Sequence, residues 1–175
     1  MLSNHDHAAM KAFFPILCLI CALVSGFPAR AGVSGPACVA SGDVIMVNGK
    51  RWHGKCAGGT EVRLFGVIAP DLSEICNVPG GRRWQCGRAS AAMLLEAVKS
   101  EKVDCVGSSA DSAGRLLATC RVRGEDIGQK MVRDGWALAY PRHSTKYEQD
   151  EEQAARARKG LWQIPGTPTF EWRNQ

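Results

Sequence analysis

Six cysteines, Cys38, Cys56, Cys76, Cys86, Cys105 and Cys120, divide the body of this chain into short segments, and their spacing constrains the fold more than any other feature. Cys105 and Cys120 stand on two short apolar runs joined by one loop, which favours pairing between neighbours in sequence. The same rule joins Cys38 to Cys56 and Cys76 to Cys86, one of about 15 pairings that six cysteines allow. Zinc is the rival use of such thiols. These six contain no Cys-x-x-Cys pair, however, and only His53 and His143 accompany them as imidazoles. A framework of this kind belongs in an oxidising compartment.

Two further cysteines, Cys18 and Cys21, fall in a segment that reads as removed. Met1 to Lys11 is short and mildly basic, Ala12 to Gly26 is apolar apart from Pro15 and Ser25, and Ala29-Arg30-Ala31 places small residues at the cleavage-defining positions. This is the pattern of a secretory signal peptide over residues 1–31, cut after Ala31. Its apolar core is too short to span a membrane, which takes about 20 residues. Lipidation at Cys21 is disfavoured because Leu19-Ile20 supplies no small residue ahead of it. The expectation is a secreted or periplasmic protein, a monomer without a membrane anchor, with one domain over residues 32–175. The formal net charge of the whole chain is +5, and the leader takes away Lys11 and Arg30 against Asp6. The mildly basic remainder suits a polyanion partner without requiring one.

The domain begins with strands and ends with helices. Val39 to Val47 favours β structure and runs into Asn48-Gly49, a strong hairpin signal, with Lys50 to His53 as the return arm. After Gly58-Gly59, Thr60 to Val67 alternates, with Val62, Leu64 and Gly66 on one face and Arg63, Phe65 and Val67 on the other. Residues 71–87, holding Pro79-Gly80-Gly81 and a cysteine near each end, read as a stapled loop.

The first helix is predicted over residues 88–100, where Ala91, Leu94, Leu95 and Val98 make one apolar stripe. Lys102 to Val106 and Leu116 to Val122 are strands, and Ile127 to Asp134 is a second helix stopped by Gly135. Thr145 with Glu148 forms a capping box ahead of a third helix, with acids early, Arg156 late and Gly160 at its end. Trp162 then folds back as an anchor. Short strands, three helices and no βαβ alternation give an α+β fold, a small barrel with helices laid on it.

The chemistry-bearing residues sit at the ends of these strands: Gly42-Asp43, the run from Arg63 to Asp71, and Asp111 with Gly114-Arg115. Singly, each has a plain reading. Aspartates in turns usually bond their own backbone, and an arginine on a strand is usually solvated. Together with Trp84-Gln85-Cys86-Gly87, Val132-Arg133-Asp134-Gly135 and Gly160-Leu161-Trp162, they are ordered as in one family. From Ser41 to Trp172 the chain resembles the staphylococcal nuclease (thermonuclease) family.

The resemblance implies a five-stranded OB-fold β-barrel with three helices packed on it, and calcium-dependent hydrolysis of DNA and RNA. Asp43 stands at a metal-binding aspartate of the family, and Arg63 and Arg115 at the two arginines that hold the phosphate. Asp71 replaces the catalytic glutamate, one methylene shorter, and Ala69 takes a threonine place whose backbone carbonyl contacts the metal. Ile68 stands where a second metal-binding aspartate belongs, and Ser41 and Val44 also depart from the pattern.

Calcium takes six to eight oxygens and relies on carboxylate charge, so Ile68 implies a weakened Ca2+ site. The catalytic set is then Arg63, Asp71 and Arg115, with Asp43 and the Ala69 carbonyl toward the metal. Restoring the acid, Ile68→Asp, is expected to raise calcium affinity. Tyr140 and Trp52 are candidates for stacking on bases of DNA or RNA. Two functions stay open: an exported nuclease with a weakened metal site, or a catalytically silent OB-fold module that binds nucleic acid or a protein partner.

Overall fold

The computed structural model describes residues 31–165. The expected leader lies outside the described residues except for Ala31, which opens the first strand. The early strands are β1 (Ala31–Gly35), β2 (Ala37–Val39), β3 (Val44–Val47), β4 (Lys50–Trp52), β5 (Lys55–Ala57), β6 (Thr60–Leu64) and β7 (Val67–Ile68). There follow β8 (Cys76–Val78), β9 (Arg82–Trp84), α1 (Cys86–Val98), β10 (Val103–Ala110), β11 (Leu116–Val122), β12 (Glu125–Asp126) and α2 (Ile127–Arg133). Last come β13 (Leu138–Ala139), α3 (Glu148–Arg156) and a 3-10 turn over Gly160–Gln163.

The principal sheet runs β1-β10-β11-β6-β3-β2, with β12 added on β11. All of its pairings are antiparallel except β6 with β11, which is parallel. Its two edge strands, β1 and β2, are separated by Pro36 alone. Proline has no N–H to give a ladder and marks the point where this segment changes partner. Its carbonyl accepts from Asn48 N–H at 2.7 Å.

Inside the sheet, Ile45, Val47, Val62 and Leu64 pack with Leu94, Val98, Ile127 and Met131 in the larger core cluster. A second cluster gathers Ile68, Cys76, Cys86, Leu138, Tyr140 and Leu161, with Trp162 packed on it as expected. Three disulfides join Cys38 to Cys56, Cys76 to Cys86 and Cys105 to Cys120, the neighbour-to-neighbour pairing read from the sequence. Cys105 and Cys120 face each other directly across β10 and β11.

Several local expectations are corrected. Val39 to Val47 is not one strand. The chain reverses at residues 40–43, where the Ala40 and Ser41 N–H groups both donate to the Val44 carbonyl, and β2 pairs back on β3. Asn48-Gly49 does not make the expected hairpin either, because β3 already has β2 and β6 as neighbours. The return arm β4 pairs with β5 instead. Strand β6 stops at Leu64, so Val67 belongs to a separate short strand and is buried like Val62 and Leu64.

In α1, Ala91, Leu94 and Val98 are buried, but Leu95 is 41% exposed at the margin of the stripe. The helix starts at Cys86, within the disulfide-closed loop, and not at Arg88. Helix α2 ends as read, with Gly135 at φ +78°. The Thr145–Glu148 capping box does not form. Glu148 is already the first residue of α3, Tyr147 precedes it without a side-chain cap, and Thr145 contributes only its carbonyl to Glu148 N–H.

Asp126 is the side-chain cap seen on α2. Its Oδ1 accepts from Gln129 N–H, and its Oδ2 accepts from Lys146 Nζ at 2.7 Å and the Tyr147 hydroxyl at 2.8 Å. This ties the start of α2 to the segment leading into α3.

Candidate functional site

Three chain segments converge at one end of the principal sheet: the turn at residues 40–43, the middle of β6, and the turn at residues 111–115. Register brings them together, since Arg63 lies opposite Val44 on β3 and opposite Leu117 on β11. The first turn sits tightly on its surroundings. A Cβ on Gly42 would fall 1.9 Å from Ser90 Oγ and 2.7 Å from Ala69 Cβ, so only glycine admits this path. Ser90 is itself fixed, donating to the Trp136 carbonyl at 2.6 Å.

Asp43 is buried. Its Oδ1 accepts from Ser41 Oγ at 2.8 Å, its carboxylate also accepts from Ala69 N–H, and its Oδ2 lies 3.4 Å from Arg63 Nε. Burial pushes its carboxyl above the ordinary carboxylate value, and Arg63, Ser41, Ala69 and Arg115 only partly counter this.

Arg63 lies between two acids, with Nη1 at 3.8 Å from Asp111 Oδ2. Arg115 donates to the same Asp111 Oδ2 from Nε at 2.7 Å and stands 2.6 Å away through Nη2. The other oxygen, Asp111 Oδ1, accepts from the Ala113 and Arg115 N–H groups and holds the turn. Burial acts to raise the Asp111 carboxyl, but these donors and the guanidinium outweigh it and leave its pKa below the ordinary value. The result is a row of two guanidiniums and two carboxylates, formally balanced in charge. Arg115 keeps about a quarter of its side chain exposed.

An aromatic set adjoins this row. Arg63 Cζ lies 6.0 Å from the Tyr140 ring centroid, Tyr140 meets His143 edge-on at 4.5 Å, and His143 stacks on Phe65 at 5.7 Å. Tyr140 is buried in the second core cluster, which limits its surface for base stacking. His143 Nδ1 is buried and has no hydrogen bond among the described residues. Burial, with Arg63 adding to it and Asp111 opposing, lowers the imidazole pKa, so the ring is neutral at pH 7.

Asp71 is exposed and shares an open cleft of about 660 Å³ with Arg115, Ser41, Lys55 and Arg88. It is placed by close approach to α1, since a Cβ on Gly87 would lie 1.7 Å from the Asp71 carbonyl oxygen. Trp52 is 71% exposed on the β4–β5 hairpin, which reaches the same cleft through Lys55. The structure thus brings Asp43, Arg63 and Arg115 into one cluster and sets Asp71 on the cleft beside Arg115. Tyr140 lies under Arg63, and Trp52 stands apart on its hairpin.

The donor set does not fit calcium. Ile68 is buried, paired with Leu138 across β7 and β13, and packs with Tyr140 in the apolar cluster. Asp43 already accepts from Ser41 and Ala69 and is ion-paired with Arg63 at 3.4 Å, and Asp111 accepts from Arg115. Among the described residues no group of three or more His, Cys, Asp or Glu side chains is arranged to hold a metal ion. Calcium's six to eight oxygens are not assembled here.

Sequence reading gave no catalytic or metal role to three participants. Asp111 groups with Gly114-Arg115 in the family pattern, with an Asx-turn and i,i+4 spacing to Arg115 as visible signals, but it stood outside the catalytic set. Ser41 was read only as a departure, and it is the hydroxyl that holds Asp43. His143 left no local signal, because its neighbours Phe65 and Tyr140 come from distant segments.

Comparison with known proteins assigns the family. The family model described as "Staphylococcal nuclease homologue" matches residues 61–164, more than half of the chain. The chain belongs to the staphylococcal nuclease homologue family. The matched span takes in Arg63, Asp71, Asp111, Arg115 and His143, while Asp43 precedes it. The chain is also 30% identical over 120 residues to "Probable endonuclease LCL3" of Schizophyllum commune strain H4-8, covering 58% of this chain and 39% of that protein. Proteins of the same name from Paracoccidioides brasiliensis strains Pb03 and Pb18 are 30% identical over 119 residues, covering 33% of their length. The chain therefore spans well under half of these relatives. No helix among the described residues is long and apolar enough to cross a membrane.

Proposed function

We propose that this is an exported OB-fold protein that binds single-stranded DNA or RNA by its phosphodiester backbone at Arg63 and Arg115, without the calcium-dependent hydrolysis that the family resemblance implies. The observation that carries this reading is the position of Ile68. The place expected of a second metal-binding carboxylate is part of an apolar core with Leu138 and Tyr140, while Arg63 and Arg115 stay assembled on Asp111, with Arg115 lining an open cleft. Two guanidiniums suit phosphate because their planar forks give paired, charge-assisted hydrogen bonds. A phosphate entering the cluster would compete with Asp111 for Arg115, so binding exchanges one anion for another.

The barrel reading is supported by the pairing, since the contiguous β1 and β2 segments bond to β10 on one side and β3 on the other. Export is supported by three disulfides, which persist where thiols are not kept reduced.

One observation favours hydrolysis instead: Asp71 lines the same cleft as Arg115, as a water-activating carboxylate would. A single experiment separates the two readings. The oxidised domain is incubated with labelled single-stranded DNA in millimolar calcium and then in excess chelator, beside Arg63→Ala/Arg115→Ala. Binding that disappears in the double variant, with the DNA intact in both buffers, is the expected result. Cleavage that chelator abolishes would overturn the proposal and restore a calcium nuclease.

A further inference from the structure

The aromatic set does not end at the arginine pair. Phe65, the last ring of the sequence Arg63, Tyr140, His143, Phe65, lines a separate groove of about 410 Å³ over the outer face of β10 and β11. Its walls include Val106, Ser109, Thr119, Arg121 and Lys146. The volume suits a nucleoside-sized group, since small-molecule sites begin near ~300 Å³.

Its chemistry is divided in a recognisable way. Phe65 and the 43% exposed Val106 offer apolar surface to a flat ring, and Ser109 and Thr119 offer hydroxyls. Arg121 is exposed and forms no ion pair among the described residues, whereas Lys146 is held by Asp126. An uncommitted guanidinium at the rim of a groove containing an aromatic ring is the combination that single strands use, one element for phosphate and one for the base.

We infer that this groove is a second nucleotide subsite, taking a base against Phe65 and an adjoining phosphate on Arg121, for a single strand already anchored at Arg63 and Arg115. The inference rests on the reading of the arginine pair as a phosphate anchor. Its own support is the exposed Arg121, without an ion pair among the described residues, beside Phe65 in one groove, on the strand β11 that pairs directly with the β6 strand carrying Arg63.

Oligothymidylates from two to eight nucleotides are titrated into the oxidised domain by fluorescence anisotropy. Comparison is made among the unmodified protein, Arg121→Glu, Val106→Glu and a charge-matched control, Arg83→Glu on exposed β9. All three substituted positions are exposed, and circular dichroism verifies folding. The expected result is affinity that rises with length, an approximately tenfold loss for the octamer in both groove variants, and no change in their dimer binding. Arg83→Glu should follow the unmodified protein. Equal affinity for dimer and octamer, or an octamer loss in Arg83→Glu as large as in Arg121→Glu, would overturn the groove and leave the anchor standing. Binding at no length, or binding indifferent to Arg63→Ala/Arg115→Ala, would overturn both.

Discussion

Asp111 holds Arg115 through one oxygen, Oδ2, which lies 2.7 Å from Nε and 2.6 Å from Nη2, while its other oxygen fastens the turn that carries Arg115. The same side chain therefore sets both the position of the guanidinium and the loop beneath it. A lysine at this position keeps the charge but has no planar fork to receive from Asp111 and present to phosphate. Arg115→Lys is expected to fold normally and to weaken oligonucleotide binding about tenfold, measured by anisotropy at fixed salt. Unchanged affinity would mean that charge alone matters there.

The gain in calcium affinity that the sequence pattern predicts for Ile68→Asp is replaced by an expected loss of stability, because Ile68 lies in the apolar core. The side chain is 2% exposed among Leu138, Tyr140 and Leu161, so a carboxylate placed there loses its hydration without an assembled metal site. The cost is at least about 3 kcal/mol, in the range of buried unpaired charges. Thermal unfolding with and without millimolar calcium checks this. A midpoint that calcium restores to that of the unmodified protein would show that the pocket does open toward a metal.

The acid response follows from Asp126. Burial raises its carboxyl, but Lys146, Gln129 and Tyr147 together outweigh burial and leave its pKa below the ordinary 3.8. The stabilisation is therefore complete above about pH 4 and is lost as pH falls through the lower folded value. Asp43 runs the opposite way: its raised pKa favours the native state at low pH, a contribution lost as pH rises through its folded value. Asp126→Asn should cost roughly 1–3 kcal/mol at pH 7, and the gap to the unmodified protein should close in urea titrations carried below about pH 4. A gap independent of pH would assign the effect to packing.

Removing the Cys105–Cys120 bond as a double alanine variant is expected to cost about 3 kcal/mol, the chain-entropy value for a 15-residue loop. Urea denaturation of the variant against the unmodified protein, both with the other two bonds intact, gives the comparison. No loss of stability would mean that the β10–β11 pairing alone fixes these residues.

The parts of this protein legible in the sequence were those set by neighbours along the chain. The three disulfides, the Gly135 stop and the buried Ala91, Leu94 and Val98 all follow from separations of a few to eighteen residues. Asn48-Gly49 misled because turn chemistry reports a reversal and not which strand will be the partner. The pairing of β3 with β6 won. Leu95 misled because a helix that packs on one side buries a narrower stripe than its apolar residues describe. The site was legible as Asp43, Arg63 and Arg115 through the family pattern, but its internal wiring was not. Ser41 and Asp111 act on close neighbours, Asp43 and Arg115, but the ion pairs that join them to Arg63, and the contacts of His143 with Phe65, exist only once β3, β6, β11 and the segment after β13 have been brought to one end of the sheet.

The short break at Pro36 also has a consequence for the order in which the molecule is assembled. The segment from Ala31 to Val39 leaves the ribosome ahead of every partner it will have, and its first half must wait for Val103–Gly107. Until Val103, 68 residues after its partner Gly35, has been synthesised, one strand edge remains open, and closing so long a loop is slow. A sheet built this way is completed only when residues 31–35 meet a strand from the far half of the sequence.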